Sequence, residues 1–78
     1  MTICGLVITL SEDSGERSRA LAALAGAEDI TLGADSGQRV PAVLENPGDR
    51  ADYRRRWEEL AALPGVTHLD LTYVNYEA

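Results

Sequence analysis

Hydrophobic positions along the chain keep two rhythms that take turns. Between Thr2 and Leu10, the residues Ile3, Cys4, Leu6, Val7, Ile8 and Leu10 form a dense run closed by Ser11-Glu12-Asp13. Most are β-formers, so the run predicts a strand buried on at least one face. The rhythm then becomes helical. Asp13 with Glu16 three residues on has the spacing of a capping box. A helix from about Ser14 to Ala25 would bury Ala20, Leu21 and Leu24 and stop at Gly26. Ile30 and Leu32, alternating with Asp29, Thr31 and Gly33, predict a short second strand. Ala34-Asp35-Ser36-Gly37 has turn composition. Val40 to Glu45 is the third strand, broken by Asn46-Pro47-Gly48. Asp49 is a candidate N-cap for a second helix through Ala62, with Tyr53, Trp57, Leu60 and Ala61 on one stripe. Arg54 and Glu58, and likewise Arg55 and Glu59, are spaced four apart on its wet side. Pro64-Gly65 ends that helix. Val66 to Tyr76 is the last strand, where Leu69, Leu71 and Tyr73 alternate against His68, Asp70 and Thr72.

The order β-α-β-β-α-β predicts an α+β fold of ferredoxin-like type, with a four-stranded antiparallel sheet and both helices on one face. A quasi-repeat agrees with it: Leu21-Ala22-Ala23-Leu24-Ala25-Gly26 recurs half a chain later as Leu60-Ala61-Ala62-Leu63-Pro64-Gly65. One domain over residues 1–78 is expected. Pro41 resists the pattern. The third strand is central in this topology, and a proline there removes a ladder hydrogen bond, so a bulge or a strand start is expected at Pro41.

Two helices cover one sheet face and leave the other to solvent, to a second copy or to a ligand. If Leu6, Ile8, Leu69, Leu71 and Tyr73 point at the helices, then Ile3, Gly5, Val7 and Thr9 point away, as do His68, Asp70, Thr72 and Val74. Asp29 and Thr31 would join them from the second strand. A bulge at Pro41 would reverse the facing of the residues after it. The expected open face is apolar in the middle (Ile3, Val7, Val74) beside the acids Asp29 and Asp70. Gly5 would admit a close approach to the backbone.

Charge sharpens this picture. The 78 residues carry thirteen acids and seven bases, net −6, and every base is Arg. Such a chain repels phosphate backbones and anionic lipid and favours cationic partners. Its apolar runs are too short to span a membrane. The N-terminus has no basic region before its apolar run, so no signal peptide is read and a cytoplasmic location is expected.

Candidate chemistry narrows it further. Cys4 is a lone thiol, read as a small buried hydrophobe; it supports neither a disulfide nor a thiolate metal site. His68 and Asp70 share a strand face, but no nucleophile is spaced with them, so no catalytic residue is assigned. Arg54-Arg55-Arg56 lies among Asp52, Glu58 and Glu59 and reads as an ion-paired helix surface. The first and third strands lack aromatics for stacking bases, so nucleic acid is not expected. Tyr53 and Trp57 read as core anchors, as does Tyr73. No metal-binding spacing and no phosphate-cradling glycine loop occurs.

Ile3-Cys4-Gly5-Leu6-Val7-Ile8, the Leu63-Pro64-Gly65-Val66 turn and Leu69-Asp70-Leu71-Thr72-Tyr73-Val74 together resemble the NapD family. The Gly37–Glu45 segment and the length fit too, so the likeness spans nearly the whole chain. Its motifs are mostly hydrophobic pattern. The chain departs from the family at Pro41, where one extra residue is expected, and at Val74, where a polar residue is frequent. The resemblance implies a cytoplasmic chaperone that binds the twin-arginine signal peptide of an exported molybdoenzyme, the periplasmic nitrate reductase in the family. It would delay export until the cofactor is inserted, with no cofactor and no catalysis of its own. The expected peptide-binding residues are Ile3, Gly5, Val7, Thr9, Asp29, Thr31, His68, Asp70, Thr72 and Val74. A monomer or weak dimer is expected. The competing expectation is a structural or regulatory homodimer packed sheet to sheet.

Overall fold

The computed structural model describes residues 2–34 and 37–76, with Tyr76 described by its backbone alone. Its elements are β1 (Thr2–Leu10), α1 (Ser14–Ala25), β2 (Ile30–Leu32), β3 (Arg39–Asn46), α2 (Arg50–Ala61) and β4 (Val66–Tyr76). The strands form one antiparallel sheet in the order β2-β3-β1-β4. This is a ferredoxin-like α+β arrangement. Within the expected Ala34–Gly37 turn, Asp35 and Ser36 lie outside the described residues, and Gly37 takes a left-handed φ of 69°.

Alternation decides what β1 and β3 bury. Cys4, Leu6, Ile8 and Leu10 of β1 are at most 2% exposed, and Val40, Ala42 and Leu44 of β3 lie beside them. Ala20 and Leu24 of α1 and Leu60 of α2 close over this surface. Leu21, Tyr53, Trp57 and Leu69 pack at its margin, half-buried. Ala61, expected on the apolar stripe of α2, is exposed. Cys4 is buried and free, as its setting in an apolar strand implied.

The helix starts are set by side chains. Asp13 accepts from the Glu16 N–H at 2.8 Å. The reciprocal half of the expected box is absent, because the Asp13 N–H donates to Ser11 Oγ at 3.1 Å. A complete box opens α2 instead: Asp52 N–H donates to Asp49 Oδ1 at 3.0 Å, and Asp49 N–H donates to Asp52 Oδ2 at 3.3 Å. The bond from Asp52 is the main cause that holds the Asp49 carboxyl below its ordinary pKa. At the far end of α2, Gly65 has φ 93° and lies against the Glu16 carbonyl, so both its conformation and the space exclude a Cβ.

The spacing-based pairs Arg54–Glu58 and Arg55–Glu59 do not form. Arg55 lies 3.6 Å from Asp52, and Arg56 lies 3.7 Å from Glu59. Arg56 mainly does something else: its Nε and Nη2 donate to the two carboxylate oxygens of Asp29 at 2.6 and 2.9 Å. This bidentate bond ties α2 to the approach of β2, with both side chains about three-quarters buried. Asp29, its main cause, raises the Arg56 pKa further above its ordinary value.

Pro41 makes no bulge. β3 pairs with β1 in unbroken register from Thr2↔Asn46 to Thr9↔Arg39. The Pro41 carbonyl accepts from the Gly33 N–H at 2.7 Å, so the side of Pro41 that lacks a donor faces the line of β2. β2 ends at Leu32, and the missing ladder bond falls where the neighbouring strand has stopped.

The irregularity lies in β4. Its register against β1 shifts between Gly5 and Leu6 and again between Thr9 and Leu10. Thr72 and Thr67 are the extra residues. A Cβ on Gly5 would collide with the Tyr73 ring and lie 2.7 Å from Thr72 Oγ1. The bare backbone at Gly5 thus lets two successive β4 side chains crowd over one β1 position. At the second shift, Thr67 Oγ1 donates to the Thr9 carbonyl at 3.1 Å.

Candidate docking face

Residues paired across antiparallel strands share a face, so the register builds the open face as four rows running across the sheet. The first is Glu45, Ile3 and Asn75. The second is Thr31, Val43, Gly5 and Tyr73, with Thr72 crowded beside Tyr73. The third is Gly33, Pro41, Val7 and Asp70. The fourth is Arg39, Thr9 and His68. Rows lie about 7 Å apart, two residues along a strand.

Most expected site residues stand on this face: Ile3, Gly5, Val7 and Thr9 from β1, Thr31 from β2, and His68, Asp70 and Thr72 from β4. Two do not. Val74 pairs with Cys4 and so turns to the helix side, because the extra residue at Thr72 reverses the alternation beyond it. Asp29 precedes β2 in a turn, outside the strand's alternation, and its carboxylate is held by Arg56 of α2. The same bulge moves Tyr73 from the expected core to the open face, 52% exposed.

Sequence reasoning missed Val43, Pro41, Glu45 and Arg39. All four follow once β3 is known to run without a bulge, since their alternation with Val40, Ala42 and Leu44 is regular.

The second and third rows form a trough of about 310 Å³, lined by Gly5, Val7, Thr31, Pro41, Val43 and Tyr73 among others, and mostly apolar. Gly5 gives it depth and Tyr73 walls it at the β4 side. Polar groups stand at its margins. The Asp70 carboxylate has two polar neighbours: its Oδ1 lies 3.0 Å from His68 Nε2, and its Oδ2 lies 3.8 Å from Arg39. Arg39, in the fourth row, lies beside it as an exposed cation. Glu45, on the opposite bank, is exposed, and no cation among the described residues lies within ion-pair distance of it.

The His68–Asp70 pair stands beside Thr9 in the fourth row, and Cys4 is buried on the other side of the sheet. Among the described residues there is no cluster of three or more metal-ligating side chains, and no helix long and apolar enough to cross a membrane. The chain matches no protein-family model, no curated protein and no solved structure at a significant level.

Proposed function

We propose that the protein is a chaperone of the NapD kind, whose open sheet face docks the twin-arginine signal peptide of an exported molybdoenzyme precursor and delays export until the cofactor is in place. The observation that carries this reading is the apolar trough across an uncovered sheet face, with a carboxylate on its bank that has no cation within ion-pair distance among the described residues. A twin-arginine signal offers the matching chemistry, two guanidinium groups followed by an apolar stretch.

The face also constrains the ligand's shape. Strand backbones inside a sheet have spent their hydrogen bonds on each other. A peptide laid on the face must satisfy its own backbone, which a helix does and an extended strand does not. The two trough rows with their banks suit a helix of about 10–12 Å diameter. Each buried Leu contributes about 1.5–3 kcal/mol and a charge-assisted hydrogen bond about 1.5–3 kcal/mol. Ordering the peptide opposes these with about 2–5 kcal/mol, so micromolar and reversible binding is expected.

Titration with synthetic signal peptides tests the reading. Peptides with Arg-Arg before the apolar stretch should saturate the protein below roughly 100 μM, and Lys-Lys counterparts should bind more weakly, because an ammonium lacks the bidentate fork. Failure of every authentic signal tried would end it. The competing reading is a homodimer that consumes the same trough; it draws on Tyr73, exposed on the open face of the edge strand β4. Sedimentation separates the two: a clean monomer at micromolar concentration removes the dimer.

A further inference from the structure

The two banks of the trough are not equivalent. On one stands Glu45, whose carboxylate has no cation within ion-pair distance among the described residues. On the other, Arg39 and His68 engage Asp70, and the Arg39 guanidinium is itself exposed. A cation approaching Asp70 also meets the exposed guanidinium of Arg39 beside it. Among the described residues of the first row, one approaching it meets Glu45 beside the neutral Ile3 and Asn75.

We infer that Glu45 is the residue that receives the partner's arginine, and that Arg39 turns cations away from the far bank, so that the trough fixes which side of a cationic apolar helix faces which bank. The inference rests on the docking reading above and deepens it. It moves recognition from Asp70 to Glu45. It also gives Asp70 a different task, holding Arg39 and His68 in place at the rim. Glu45 suits the role physically: it stands on a central strand whose pairing to β1 is unbroken, so its position is fixed while its side chain is exposed. A like charge facing a wrongly turned ligand discriminates as effectively as a favourable pair facing a correct one.

The test uses the intact protein, with Glu45→Gln, Asp70→Asn and Glu45→Arg variants whose thermal melts match the parent. The probes are a synthetic peptide with Arg-Arg before a Leu/Ala-rich stretch and a second with Glu-Glu in place of Arg-Arg. Glu45→Gln should weaken the Arg-Arg peptide about tenfold and flatten its salt dependence, while Asp70→Asn changes it by no more than about threefold. Glu45→Arg should bind the Glu-Glu peptide more tightly than the parent does. Undiminished binding by Glu45→Gln, or a larger loss in Asp70→Asn, would overturn the assignment and leave the docking reading standing. If the parent binds no twin-arginine peptide at all, the docking reading itself falls, and the role of Glu45 falls with it.

Discussion

The two faces of one strand carry opposite duties. On β1, Cys4, Leu6, Ile8 and Leu10 vanish beneath the helices, while Ile3, Gly5, Val7 and Thr9 line a face that nothing in the described chain covers. The residue types barely differ: Leu6 and Val7 are adjacent and both aliphatic. What separates them is the partner across the gap. The closed side has interlocking side chains from α1 and α2, and its cost of disturbance is paid in stability. The open side has only solvent, so disturbance there should be felt in binding. Apolar residues on a face without a covering layer are thus the clue to function, where the same residues on the other side are a clue to fold.

Substitutions can break this division, starting with the largest expected effect. Leu6→Ala or Leu44→Ala leaves a cavity in the closed face and should lower unfolding free energy by about 2–5 kcal/mol in denaturant titrations. The matched truncation Val7→Ala on the open face should cost under about 1 kcal/mol while weakening peptide binding. Equal losses of stability from Leu6→Ala and Val7→Ala would erase the distinction. Next comes Arg56→Ala, which cuts the bidentate tie to Asp29 and should cost about 1–2 kcal/mol. It should leave peptide binding intact, because the tie lies on the helix side.

Gly5→Ala probes the open face from within. Its methyl would collide with the Tyr73 ring, so the ring must swing away and reshape the trough. Stability should fall by about 1 kcal/mol, and peptide affinity should change more than stability does. Tyr73→Ala in the same chain should relieve the stability loss, giving a non-additive double-mutant cycle. Additive losses would mean that the two residues do not share that space.

The smallest effect concerns pH. The Asp49 carboxyl is held below its ordinary pKa, chiefly by the Asp52 N–H. A carboxyl with a depressed folded-state pKa contributes stability that is complete above its unfolded-state value and is lost as pH falls through the lowered folded value. Melts taken in acid should therefore show Asp49→Asn converging on the parent, from a position below it at neutral pH. A constant gap between them at every pH would contradict this.

The extent of every long element was readable because helix and strand periodicity, caps and the Pro64-Gly65 stop are local properties. The facing of β3 and β4 was not. Pro41 looked like the site of a bulge, yet its missing donor is harmless because β2 stops at Leu32, a fact of tertiary pairing. Thr72 looked like an ordinary member of an alternating strand, yet the absent side chain at Gly5, far away in sequence, draws Thr72 and Tyr73 over one position. That single extra residue exchanges Val74 and Tyr73 between the faces. Asp29 was similarly misplaced, since its partner Arg56 is twenty-seven residues away and no spacing rule reaches that far.

Amide chemical-shift mapping of the ¹⁵N-labelled protein against an Arg-Arg signal peptide tests the central claim most directly. Saturable shifts should concentrate at Gly5, Val7, Val43, Glu45 and Tyr73 and spare the outward side of α1 at Ala22 and Ala23. Shifts confined to the helices, with the open face silent, would contradict it.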